Sequence, residues 1–249
     1  MNNLLWRVVK VTAAAGAVSG VGALFLALYG EVSRRTYSTI LGFSSGVMIG
    51  VSTLVLLPEG LAVGTFPMVI GGLLLGGLFV TFLEVVIPHM EPHFGAQDYS
   101  PGLGDAFLLA VAVAIHNIPE GLAMGLGFVA GEQMGPRLAV AIAFQNIPEG
   151  LAISLPLRRN GVNKWYAVIF ATLSGMSEVI GAAVAVICAG WARFVLPLGL
   201  AFAAGALLFV TADQLIPESH KHGESMIPSW GVTLGFVLVI LIDWVGEGL

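Results

Sequence analysis

Apolar residues run along this chain in long blocks, divided by Gly/Pro-rich or charged breaks. A helical crossing of a bilayer takes about 20 mainly apolar residues. Eight stretches reach that length: 8–29, 37–57, 66–88, 105–129, 137–157, 165–189, 194–215 and 229–246. The pattern predicts an all-α, polytopic membrane protein with eight transmembrane helices in one transmembrane domain over 1–249. The first block follows Arg7 and Lys10 and so has the look of a signal peptide. An internal repeat argues against removing it.

Shifted by 159 positions, the first three blocks align with the last three without a gap. Gly16 meets Gly175, Phe43 meets Phe202 and Gly46 meets Gly205. Pro58-Glu59 meets Pro217-Glu218, and Glu84 meets Asp243. Glycines alone would align by chance in so Gly-rich a chain; the Phe, Pro-Glu and acidic matches go beyond that. Five spans separate equivalent members, and an odd number reverses direction across the membrane. The expected plan is therefore 3+2+3: inverted repeats at about 8–88 and 167–246 around a central helix pair at about 105–157.

Composition agrees with lipid as the solvent. The chain is 57% hydrophobic and 10% charged, with mean hydropathy +0.93, against about 25% charged in a soluble domain. No basic patch points to nucleic acid. Cys188 is the single cysteine, which excludes an intrachain disulfide and a cysteine zinc site. The N-terminus and the loops from even to odd spans carry Arg7, Lys10, Arg137 and Arg193; the other loops carry Arg34, Arg35, Arg158, Arg159, Lys164 and Lys221. The positive-inside rule puts the larger set in the cytoplasm and both termini outside.

The candidate chemistry lies in the central pair. Asn-Ile-Pro-Glu-Gly-Leu-Ala occurs twice, at 117–123 and 146–152. His116 and Glu120, like Gln145 and Glu149, are spaced i, i+4 and share a helix face. Glu120, Glu149 and Glu178 all fall mid-span. Three uncompensated carboxylates there would oppose insertion by roughly 8–10 kcal/mol, which a shared divalent cation would offset. Pro119 and Pro148 each remove an N–H and crowd the carbonyls of Ile115 and Phe144. Freed carbonyls are tolerated at that depth only beside protein or a wet cavity. A mixed N/O ligand set without thiolates suits a transition metal held loosely enough to be released. The plainer readings are a core histidine and paired structural kinks. Met48 is either a thioether ligand or core packing.

These residues resemble the ZIP (Zrt/Irt-like) divalent metal transporters, nearest the bacterial GufA-like branch. The matching stretches are His116–Gly121, Gln145–Gly150 running on through Leu155-Pro156-Leu157-Arg158, Ser174-Gly175-Met176-Ser177-Glu178, and Ile216-Pro217-Glu218-Ser219-His220. The resemblance implies eight spans, both termini outside, in the plasma (inner) membrane. It implies a binuclear site: His116, Glu120, Gln145 and Glu149 with Met48 as a fifth ligand, then Glu120 and Glu149 shared with Asn117, Asn146 and Glu178. It implies zinc uptake into the cytoplasm by an elevator-like motion, with Fe2+, Mn2+ or Cd2+ as other candidate cargoes. Some relatives have Asp in place of Asn146, His in place of Gln145, and Pro in place of Val179. The second site here thus carries less charge.

The remaining polar residues near span ends are His89, Glu91 and His93, then Asp213, His220, His222 and Glu224, with Asp105 at the start of the fourth span. The histidines and Asp213 form an expected exit path; solvated loop residues are the alternative. An intramembrane metalloprotease lacks its His-Glu-x-x-His motif. A passive metal channel, a carrier of broad specificity, and a homodimer are left open by the sequence.

Overall fold

The protein was analysed as a computed structural model, which describes residues 2–30, 32–86, 103–159, 161–189, 195–221 and 226–247. Those residues form eight helical spans. We number them α1 (Asn2–Ala17 and Ser19–Tyr29), α2 (Arg34–Gly50, Val51–Leu56 and Leu57–Val63), α3 (Phe66–Val86) and α4 (Leu103–Ala130). Then follow α5 (Met134–Arg159), α6 (Lys164–Met176 and Glu178–Ala189), α7 (Val195–Val210, Thr211–Leu215 and Ile216–His220) and α8 (Met226–Glu247). Seven are long and apolar enough to cross a membrane, and α4, at 28 residues, exceeds the length a crossing needs.

Several spans overrun their hydrophobic blocks. α2 reaches Val63 and α7 reaches His220, because each resumes as an ordinary helix after Pro58 or Pro217. Ser33 and Asn163 cap the starts of α2 and α6, their side chains accepting from Thr36 N at 3.1 Å and Trp165 N at 2.9 Å.

Four of the spans are not regular helices. α1 breaks at Val18 and α6 at Ser177, where Val18 N reaches back to Ala15 O and Ser177 N to Ser174 O. α2 widens into a π turn over Val51–Leu56, and α7 over Thr211–Leu215. Leu57 N donates to Ser52 O, and Ile216 N to Thr211 O. In each case a proline follows at once; it has no N–H to give and it crowds the preceding turn, so the ladder shifts by one residue. Both kinds of irregularity recur at the 159-residue offset.

The close contacts recur at the same offset. Gly16 and Gly175 pack directly on each other's backbone. A Cβ at Gly121 would strike the Glu178 carbonyl, and one at Gly150 the Ser19 carbonyl. Small residues let backbones approach this closely, the usual basis of helix association in lipid. The spans fall into two groups: α4 packs on α6, α5 on α1, and α4 on α5; α2 packs on α8 and α3 on α7. The interface between the groups is made by α2 with α5 and α7 with α4. α3 and α8 turn apolar side chains outward, among them Leu74, Leu78, Phe82, Leu234 and Leu241, as lipid-facing helices do.

Candidate metal site

The two Asn-Ile-Pro-Glu-Gly motifs lie inside unbroken helices, Pro119 in α4 and Pro148 in α5. Both helices run on through the lost hydrogen bond, with neighbours packed closely against them. Ser177 Oγ, freed by the break in α6, donates to Ala114 O at 2.7 Å, one residue before the carbonyl that Pro119 leaves without its usual donor. Gly121 and Gly150 then admit α6 and α1 against the same helices. Each motif therefore specifies a bend, a polar face and a neighbour.

The polar faces meet. Asn117 Nδ2 donates to Glu149 Oε1 at 2.6 Å and to Ser174 O at 3.3 Å. Asn146 Nδ2 donates to Glu178 Oε1 at 2.7 Å and to Ala15 O at 2.9 Å. The carbonyl bonds of the two asparagines are equivalent, since Ala15 and Ser174 are 159-offset partners, whereas their carboxylate partners sit on different helices. Gln145 Nε2 bridges Glu120 Oε1 at 2.8 Å and Glu149 Oε2 at 3.3 Å. Glu178, fully buried, opens the second half of α6, where the helix start favours negative charge. Oε2 of Glu120, Oε2 of Glu178 and Oδ1 of Asn146 are buried and have no hydrogen-bond partner among the described residues.

Here amide N–H groups donate to the buried carboxylates. A carboxylate in apolar surroundings needs donors or a metal, and Asn117, Gln145 and Asn146 provide donors. Turning each amide about its last torsion would present its oxygen instead. Among the described residues, no three His, Cys, Asp or Glu side chains are grouped so as to hold a metal by themselves; amides are interleaved with the acids.

A cavity of about 140 Å3 opens beside the cluster. His116, Asn117, Glu120, Gln145 and Glu149 line it from α4 and α5, and Ser44, Met48 and Gln214 from α2 and α7. Met48 is buried, and its thioether accepts from Thr211 Oγ1 at 3.5 Å. Thr211 Oγ1 also donates to Leu207 O at 2.7 Å. His116, Glu120, Gln145, Glu149 and Met48 thus share one cavity wall. Asn146 and Glu178 lie behind it, toward α1 and α6.

The chain is 35% identical over 240 residues to the zinc transporter GufA of Myxococcus xanthus, covering 92% of this chain and 94% of that protein. The family model described as ZIP zinc transporter matches residues 91–243. The chain belongs to the ZIP family. Zinc transporter ZIPB of Bordetella bronchiseptica is 36% identical over 245 residues, 93% of this chain and 78% of that one. Human zinc transporter ZIP11 matches at 47% over 148 residues, 57% of this chain but only 43% of its own length. These relatives are transporters and not enzymes, in keeping with the reading against a metalloprotease.

Not every residue singled out in this ZIP chain joins the cluster. Asp213 is exposed on the π turn of α7 and does not line the cavity; its neighbour Gln214 does. His220 is held locally: Nδ1 pairs with Ile216 O at 3.0 Å and Ser219 Oγ at 2.9 Å, and Nε2 with Ser229 Oγ at 3.3 Å. It ties the end of α7 to the start of α8. His89, Glu91, His93, His222 and Glu224 lie outside the described residues, and so does the side chain of Asp105. Ser44, Thr211 and Gln214 were not singled out from sequence. For Gln214 the signal was Pro217, whose π turn carries Gln214 to the cavity and Thr211 to Met48.

Proposed function

We propose that this ZIP protein moves zinc into the cytoplasm through the cluster on α4, α5 and α6. The observation that carries the reading is the convergence of Glu120, Glu149 and Glu178 with His116 and three amides, inside the protein and beside a cavity. One zinc ion is assigned to His116, Glu120, Gln145 and Glu149 with Met48; a second would use Glu120, Glu149, Asn117, Asn146 and Glu178. The relatives named above are zinc transporters, which favours zinc over Fe2+, Mn2+ or Cd2+. Arrival of a dication would displace the amide N–H groups from the carboxylates and turn the amide oxygens inward. Because that exchange swaps hydrogen bonds for ligand bonds, the ion is held without being trapped.

The proposed placement is multi-pass in the plasma (inner) membrane, with both termini outside and the halves 8–88 and 167–246 inverted. Equivalent breaks, π turns and glycine contacts at one offset support the inverted plan. A carrier is favoured over a channel by the contrast between the two ends of the path. The cavity of about 140 Å3 reaches from the site toward Leu41, Ile153 and Leu215, the cytoplasmic end in this orientation. On the opposite side, the space between Val51, Val55, Leu138 and Ala141 is only about 10 Å3, room for no more than about one water. In this reading the arrangement is inward-open, and an elevator-like slide of α1, α4, α5 and α6 against the other group would give the outward-open one. Zinc uptake by purified protein in liposomes, with and without a proton gradient, tests this. Flux that fails to saturate with zinc would favour the channel.

A further inference from the structure

We infer that the Arg137–Asp243 ion pair positions the two helix groups for transport by holding the outer route shut in the state seen here. The inference rests on the carrier reading above. Arg137 enters at the first turn of α5, in the group that bears the site. Asp243 is in the last turns of α8, in the other group. Arg137 Nη1 donates to Asp243 Oδ1 at 2.7 Å and approaches Asp243 O at 3.5 Å, while Nε reaches Gln133 O at 3.4 Å. The pair is partly shielded, with side-chain exposures of 22% and 32%. A Cβ at Gly246 would run into the Arg137 side chain, so the glycine lets arginine lie across the end of α8.

What lies on either side of the pair gives it a role. Above it is an open pocket of about 390 Å3, lined by Glu59, Glu132, Gln133 and Arg137. Below it is the collapsed space of about 10 Å3, lined by Val51, Val55, Leu138, Ala141, Val239 and Ile242 together with the pair itself. That apolar plug leads to the site along both walls. Ala141 and Gln145 are i, i+4 on α5, and Val51 lies one turn beyond Met48 on α2. The order inward is vestibule, ion pair, plug, metal ligands.

The repeat explains why this pair belongs to one state. In an inverted repeat, the second state arises when the two halves exchange conformations. At the 29- and 159-residue offsets, Arg137 and Asp243 correspond to Leu108 and Glu84. The position equivalent to Arg137 therefore carries no cation. Sliding α5 along α8 must break a bond that exchange does not replace, so the pair biases the protein toward the inward-open state.

Reporter cysteines in a Cys188→Ser background test this, using a membrane-impermeant maleimide added from the side of the termini. Glu59→Cys should label readily and Val55→Cys slowly while the pair is intact. Asp243→Asn or Arg137→Gln should raise Val55→Cys labelling roughly fivefold, the population shift expected from losing one partly exposed ion pair. The swap Arg137→Asp with Asp243→Arg should lower it again. Equal labelling of Val55→Cys and Glu59→Cys with the pair intact would overturn the inference, and this comparison needs neither neutralised variant to fold. So would unchanged labelling in both neutralised variants, or a swap as reactive as they are. Labelling requires no flux, so failure of wild-type protein to move zinc would sink the carrier reading separately.

Discussion

Glu149 is the residue on which most of the cluster turns. It takes Asn117 on one oxygen and Gln145 on the other, and it lines the cavity. Glu149→Ala should reduce zinc uptake by more than about tenfold, since even outer partners of a metal ligand are worth 10–100-fold in affinity or activity. Membrane expression should be preserved, because removing one of several adjacent carboxylates lightens the cost of burial. Uptake measured in a zinc-starved host at matched expression checks this. Among the described residues His116 contributes the one imidazole on the cavity wall, and nitrogen is the ligand type that distinguishes zinc from harder cations. His116→Ala should shift the competition profile among zinc, cadmium and iron; superimposable profiles would exclude it as a ligand. Asn146 donates to Glu178 and leaves Oδ1 without a donor. Asn146→Asp should raise the affinity or stoichiometry of the second zinc by calorimetry, as it replaces a neutral amide with an anionic oxygen ligand.

At the scale of elements, the site depends on irregular helices in regular surroundings. The proline motifs, their shared faces and the acidic residue of α6 could be read from spacing alone. The breaks at Val18 and Ser177 could not: neither residue is a glycine or proline, and each break is forced by close packing between α1 and α6. The π turns were half legible. Pro58 and Pro217 announced them, but the direction in which Thr211 and Gln214 swing is a matter of three-dimensional packing. His220 bonds within the end of α7 and across to Ser229 at the start of α8, a tie between helices that a one-dimensional pattern does not reveal. Packing at this scale yields its own expectation. Gly150→Leu would drive a side chain into the Ser19 carbonyl, an overpacking that costs about 3 kcal/mol or more. It should lower the midpoint of thermal unfolding in detergent, whereas Gly161→Leu, with no neighbour within 4 Å of its Cβ position but φ +82°, should act through backbone strain alone.

Across the whole molecule, one offset organises breaks, turns, contacts and asparagine hydrogen bonds alike. The offset was visible in the sequence because Phe, Pro and acidic residues keep their places as well as glycine. Where the halves differ, function enters: Glu178 stands opposite Ser19, His116 opposite Gln145, and Gln214 opposite Val55. Glu178 and Gln214 thus place a polar group where the other half has a smaller or apolar one, and His116 places an imidazole where the other motif has an amide. On one side of the cluster lies a cavity of about 140 Å3, and on the other a space of about 10 Å3. The most direct test of the account is zinc uptake into proteoliposomes of the purified protein, compared with protein carrying Glu149→Ala. The account predicts saturable zinc accumulation by the wild type and flux at the level of empty liposomes for the variant. Equal accumulation by both proteins would contradict it.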